Sequence, residues 1–152
     1  MTAHSAQHGT FTIERNLNYP PEMVYRAWAD PKAKERWFAA PATARSTNRE
    51  QNFHIGGRDT LKTTWPSGLV SEFSAEYWDI VPNARIVYIY EMHLDGKKIS
   101  VSLATVEFKP VGTGTKMIVT EQGAFLDGYD DSGSRERGTE GLMDNLEAYL
   151  NG

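Results

Sequence analysis

From residue 58 to residue 122 the chain is written almost wholly in period two, interrupted only by short clusters of turn-forming residues. In the stretch 69–80, Phe73, Ala75 and Tyr77 alternate with Glu72, Ser74 and Glu76, which makes one face apolar and the other wet. Strand-like runs at 85–93 (RIVYIYEMH), 98–109 and 115–122 follow, joined through Val81-Pro82-Asn83-Ala84, Leu94-Asp95-Gly96-Lys97 and the segment 110–114. Consecutive strands joined this briefly form an antiparallel meander. Whatever else the chain contains must cover a face of that sheet.

Before the meander the spacing is helical. Residues 1–9 are small and polar without periodicity, and read as a loose tail ahead of one domain spanning 10–152. Residues 10–17 alternate as a short strand. Pro20 and Pro21 stop that pairing and open a helix, since proline is tolerated in a first turn where its missing N–H would be unpaired anyway. Met23, Val24, Ala27 and Trp28 recur at helical spacing. Asp30-Pro31 ends that helix and caps a second over 32–38, because the residue before proline avoids the α region and aspartate is a good cap. Residues 41–50 show no period and read as a loop; 51–55 reads as a brief strand, Gly56-Gly57 as a turn, and 58–65 as the next strand.

The chain closes with an amphipathic helix over 134–150, in which Leu142, Leu146, Tyr149 and Leu150 oppose Glu136, Glu140, Asp144 and Glu147. Gly138 and Gly141 each weaken such a helix by about 1 kcal/mol relative to alanine. Two glycines within one helix need a packing reason. Strand, two short helices, about six strands and a long helix make an α+β domain with helices on one face of an antiparallel sheet.

Composition narrows the function. A formal net charge of −4 with scattered basic residues argues against nucleic acid as a partner. Cysteine is absent, which removes thiolate chemistry and disulfides. No apolar stretch has the length of a membrane span and the N-terminus has no secretory pattern, so cytoplasmic residence is expected. His54 and His93 stand in separate segments with no carboxylate at ligand spacing, so no metal is expected. Asp127, Asp130 and Asp131 miss the calcium-loop spacing and read as turn and helix-start residues. No phosphate loop, dinucleotide fingerprint or nucleophile elbow occurs, and no cofactor is implied.

Several stretches taken together, "YPPEMVYRAWADPKAKERWF", "FHIGGR", "YWDIVPNARIVYIYEM", "ISVSLATVEF", "GTKMIVTEQGAFLDGYD" and "RERGTEGLMDNLEAYL", resemble in order and spacing the SRPBCC superfamily, also called START-like or helix-grip proteins. The likeness is to the bacterial branch related to the C-terminal domain of the heat-shock-protein ATPase activator, often labelled polyketide-cyclase-like. The resemblance implies a curved sheet of six to seven strands gripping the C-terminal helix, with an apolar pocket between them and the two short helices closing one end. Trp37 and Phe38 would then be either core or part of that pocket's boundary.

Alternation supplies the inward residues: Phe73, Ala75 and Tyr77; Ala104, Val106 and Phe108; Met117, Val119 and Glu121. In 85–93 both parities are apolar, although Tyr88, Tyr90 and Met92 share one. The expected ligand-binding set is Trp37, Phe38, Phe53, Phe73, Tyr77, Tyr88, Tyr90, Met117, Val119, Glu121, Leu142 and Leu146. Its occupant is expected to be a small hydrophobic or aromatic ligand, carried or sensed. Two alternatives stand beside this: a polyketide-cyclase-like enzyme using an inward Glu121, Tyr77 or His54 for proton transfer, and a regulator of a heat-shock ATPase. A homodimer is left open.

Overall fold

The computed structural model describes residues 4–41 and 43–152 of the chain. Ten elements follow in order: β1 (Ala6–Leu17), α1 (Pro21–Ala29), α2 (Pro31–Trp37), β2 (Arg45–Gln51), β3 (Arg58–Thr64), β4 (Val70–Val81), β5 (Arg85–Leu94), β6 (Lys97–Val111), β7 (Gly114–Leu126) and α3 (Ser132–Leu150). The seven strands form one curved antiparallel sheet in the order β1-β7-β6-β5-β4-β3-β2. Strands β2 to β7 are a simple meander. The first strand joins the last, from Ala6 against Leu126 to Leu17 against Thr115.

Local chemistry places the breaks. Pro21 begins α1, and Asp30 caps α2 by accepting a hydrogen bond from the Lys32 backbone N–H at 3.0 Å. Asp131 caps α3 through the Ser134 N–H at 2.8 Å. The β5–β6 hairpin turns through Asp95 and Gly96, both at positive φ, the geometry whose twist matches the flanking strands. Register shifts at Tyr77/Asp79 and Met92/His93 mark bulges, which bend a strand and sharpen its twist. The first of these leaves Trp78 exposed on the outer face, while Tyr77 stays buried.

The alternation identifies the inner face correctly: Phe73, Ala75, Tyr77, Ala104, Val106, Phe108, Met117, Val119 and Glu121 are all buried. Tyr88 and Tyr90 join them, which decides the parity of β5. Some boundaries differ from expectation. Strand β1 starts at Ala6 instead of Thr10, because β7 runs on to Leu126 and offers backbone partners that no side-chain period announces. The strand expected at 51–55 lies earlier, as β2, inside the stretch read as a loop. Residues 52–57 instead make a tight turn, in which a Cβ on Gly57 would come within 2.0 Å of the Asn52 carbonyl oxygen.

Helix α3 makes its closest approaches to β1, α2 and α1. It therefore lies toward the β1 side of the sheet, and the curvature carries β3 and β4 away from it. That offset is what leaves a space over the inner face.

Candidate functional site

The space is a cavity of about 510 Å³, open to solvent at one side. Its walls are the inner faces of β3, β4, β5 and β7, the inner face of α3, Trp28 of α1, and the segment Phe38, Ala39, Ala40 and Pro41 after α2. Rings dominate: Phe73 packs on Phe38 at 5.0 Å between centroids and on Tyr90 at 5.1 Å, and Tyr88 lies 6.0 Å from Tyr90. Gly138 and Gly141 line it too, and a Cβ added to either would meet nothing within 4 Å. Here is the reason for two glycines in one helix: they leave α3 flat where it borders the cavity. Replacing both by alanine is therefore expected to raise stability by about 1–2 kcal/mol, through helix propensity alone, while narrowing the cavity. Chemical denaturation checks the gain, and a loss instead would mean that these positions are crowded.

At one end of the cavity the lining turns polar. Glu121 is 4% exposed, and its Oε1 accepts a hydrogen bond from the Tyr90 hydroxyl at 2.5 Å. The same hydroxyl accepts from Arg135 Nη1 at 3.0 Å, so Tyr90 separates the carboxylate from the guanidinium. Arg135 is held by Ser100 Oγ at 2.9 Å and Asp130 Oδ2 at 3.0 Å. Burial pushes the Glu121 carboxyl above its ordinary range, against the opposing pull of the Tyr90 hydrogen bond and the Arg135 charge. Burial likewise raises the Tyr88 and Tyr90 phenols, which stay neutral.

A second polar group lies behind the aromatic wall. Lys34 and Asp59, 1% and 0% exposed, form an ion pair with Nζ and Oδ2 2.6 Å apart. The Tyr77 hydroxyl donates to the same Oδ2 at 3.0 Å, and Lys34 Nζ donates to that hydroxyl at 3.2 Å. Rings of Trp28, Phe38, Tyr77 and Tyr88 surround the ammonium at 4.7 to 5.7 Å. Arg49 adds a positive charge 3.7 Å from Asp59 Oδ1 and donates to the Phe38 carbonyl at 2.6 Å. Burial holds Lys34 below the ordinary amine range, although Asp59 pulls the other way. Neither Lys34 nor Asp59 borders the cavity, so the cluster braces the wall from outside.

Of the residues singled out from sequence, Phe38, Phe73, Tyr88, Tyr90, Val119, Glu121 and Leu142 line the cavity. The other five do not. Trp37, Met117 and Leu146 are solid core. Tyr77 belongs to the Lys34–Asp59 group. Phe53 packs edge-on against Tyr25 and Tyr77, at 5.9 and 4.9 Å, on the far side of that group. His54 is exposed in the 52–57 turn, with Nδ1 beside the Ile55 carbonyl, so only Glu121 of the three proposed proton-transfer residues borders the cavity. Among the described residues no group of histidines and carboxylates could hold a metal ion, and no helix is long and apolar enough to cross a membrane.

Four charged participants escaped the sequence reading, yet each left a trace. Asp59 shares parity with Leu61 and Thr63. Lys34 sits three residues before Trp37, on the same helical face. Arg135 precedes Thr139, Leu142 and Leu146 at spacings of four, seven and eleven, and so falls on the inner stripe of α3. Arg49 lies within 41–50, where the sequence shows no period.

The family model described as "Activator of Hsp90 ATPase homolog 1-like protein" matches residues 18–151. No curated protein matches the chain in sequence. Among solved structures, an uncharacterized protein from Rhizobium leguminosarum is 47% identical over 99% of both chains, with a TM-score of 0.94. A Rhizobium loti protein is 39% identical, covering 95% of this chain and 99% of its own, at a TM-score of 0.89. The AHSA1-like protein from Aeromonas hydrophila shares the fold at 21% identity, covering 94% of this chain and 92% of its own, with a TM-score of 0.72.

Proposed function

Because the chain belongs to the Activator of Hsp90 ATPase homolog 1-like family, whose model spans nearly all of it, we propose that it binds one small hydrophobic or aromatic molecule between the sheet and α3. A single observation carries this: the inner face is not filled by its own helix. The 510 Å³ that remain lie within the range of small-molecule sites, roughly 300–1,000 Å³, and have their composition, mostly rings and aliphatic groups with a few polar atoms at one end. Held there, a ligand would lose most of its contact with water, and the driving force would be burial of its apolar surface, about 25 cal/mol per Å².

The glycines of α3 make the test clean. The native protein is expected to enhance the fluorescence of a polarity-sensitive dye such as anilinonaphthalene sulfonate, and to show small-molecule adducts by native mass spectrometry. Gly141→Leu, which puts a side chain into the opening without disturbing a packed neighbour, is expected to abolish both while the circular dichroism spectrum is retained. Equal dye binding by the folded variant would place the dye elsewhere and count against this function.

A further inference from the structure

Resting on that proposal, we infer that the cavity selects ring-containing molecules that carry a neutral hydroxyl donor, seated on Glu121 Oε2 with the Tyr88 hydroxyl as its neighbour. The polar end of the cavity leaves some of its hydrogen-bond capacity unmet. Tyr90 is saturated, giving its hydrogen to Glu121 Oε1 and accepting from Arg135. Arg135 gives three of its five N–H groups to Tyr90, Ser100 and Asp130. Glu121 Oε2 is different. Its nearest partner is Thr139 Oγ1 at 3.4 Å, and the one hydrogen of that hydroxyl is already given to the Arg135 carbonyl at 2.9 Å. A buried carboxylate oxygen is thus left short of a donor beside an apolar chamber, and such a group is expensive to leave unmade.

Tyr88 is the second open position. It is 4% exposed, lines the cavity, and no described residue exchanges a hydrogen bond with its hydroxyl. In register it stands opposite Ala104 of β6, which stands opposite Glu121 of β7. The small residue between them leaves phenol and carboxylate on one face with room for a ligand oxygen above. A ligand hydroxyl can then donate to Glu121 and accept from Tyr88.

Other charge types fit worse. Seated on Oε2, a ligand carboxylate would face the Glu121 charge directly, and an ammonium would give up its hydration in an apolar chamber with the largely buried Arg135 close by. The neutral donor has no such conflict. A pH dependence follows with a definite sign. Glu121 is faced by Tyr88 and Tyr90 from β5 and by Arg135 and Thr139 from α3, with Asp130 behind Arg135, and burial raises its carboxyl above the ordinary value. Donation favours its ionised form, so affinity for a hydroxyl ligand rises with pH through the Glu121 titration and then levels.

Four probes of matched size test this by calorimetry or fluorescence: naphthalene, 2-naphthol, 2-naphthoate and 2-naphthylmethylammonium. The expected order puts 2-naphthol about tenfold or more ahead of naphthalene, the usual worth of a hydrogen bond to a charged group. Glu121→Met is expected to bring that ratio close to one, Glu121→Gln to keep part of it, and acid pH to erode 2-naphthol binding but not naphthalene binding. Equal affinities of the two in the native protein, or a preference for the carboxylate or ammonium probe, would overturn the donor selection while leaving the cavity as a binding site. Failure of all four to bind would overturn the binding function itself, and this inference with it.

Discussion

Replacing Asp59 by alanine is expected to destabilise the protein by about 3–5 kcal/mol, since it strands the Lys34 ammonium, 1% exposed, without its counter-charge. The carboxylate does three things at once: it neutralises Lys34 at 2.6 Å, accepts the Tyr77 hydroxyl at 3.0 Å, and faces the Arg49 guanidinium at 3.7 Å. Removing it leaves two positive charges beside each other and a phenol without its acceptor. Replacing both members of the pair, as Lys34→Met with Asp59→Leu, is expected to recover most of the loss, because an apolar pair of similar size needs no desolvation. The pH dependence adds a second readout. Burial already lowers the Lys34 value, so the native state releases that proton more easily than the unfolded chain. Native stability from this group is therefore lost as pH falls through the lowered Lys34 value and gained as pH rises toward the ordinary lysine range. Without Asp59 the lowering deepens, so the destabilisation should be largest near neutral pH and should shrink in alkali. Urea denaturation at several pH values measures it, and a constant loss across pH would show that Lys34 is not the stranded charge.

Trp37→Ala is expected to cost a similar 3–5 kcal/mol, a fall in Tm of roughly 10 °C or more for a domain of this size. The indole is 1% exposed and ties α2 to α1. Its Nε1 donates to the Ala27 carbonyl of α1 at 2.8 Å, its ring meets Trp28 edge-on at 4.8 Å, and its backbone carbonyl accepts from Asn145 of α3 at 3.3 Å. The Trp37 side chain itself does not border the cavity, although Trp28 and Asn145 do. The variant should therefore lose stability far more than dye affinity measured at low temperature, where it remains folded. Phe38, next in the chain, lines the cavity and should show the reverse balance on replacement by leucine. A Trp37→Ala protein with unchanged Tm and lost dye binding would exchange those roles.

The contrast between these neighbours shows what the sequence can carry. Alternation reports which face a strand residue occupies, so the inner set of β4, β6 and β7 could be read directly. Whether an inner residue meets helix or open space depends on the offset of α3 across the sheet. That offset has no local signature, which is why Met117 and Val119, two residues apart on one strand face, separate into core and cavity lining. Charged residues suffer the opposite bias. A lysine such as Lys34 is read as a solvated face unless its partner is known, and Asp59 lies 25 residues away on another element. Strand β2 was invisible because its pairing with β3 is backbone chemistry, interrupted by a register shift between Thr47 and Glu50.

The pairing of β1 with β7 bears on how the protein comes into being. The N-terminal strand leaves the ribosome well before its partner, and must wait unpaired until more than a hundred further residues have been made. No interior exists during that interval. The cavity, walled in part by β7, is completed only after nearly all of the described chain has been made.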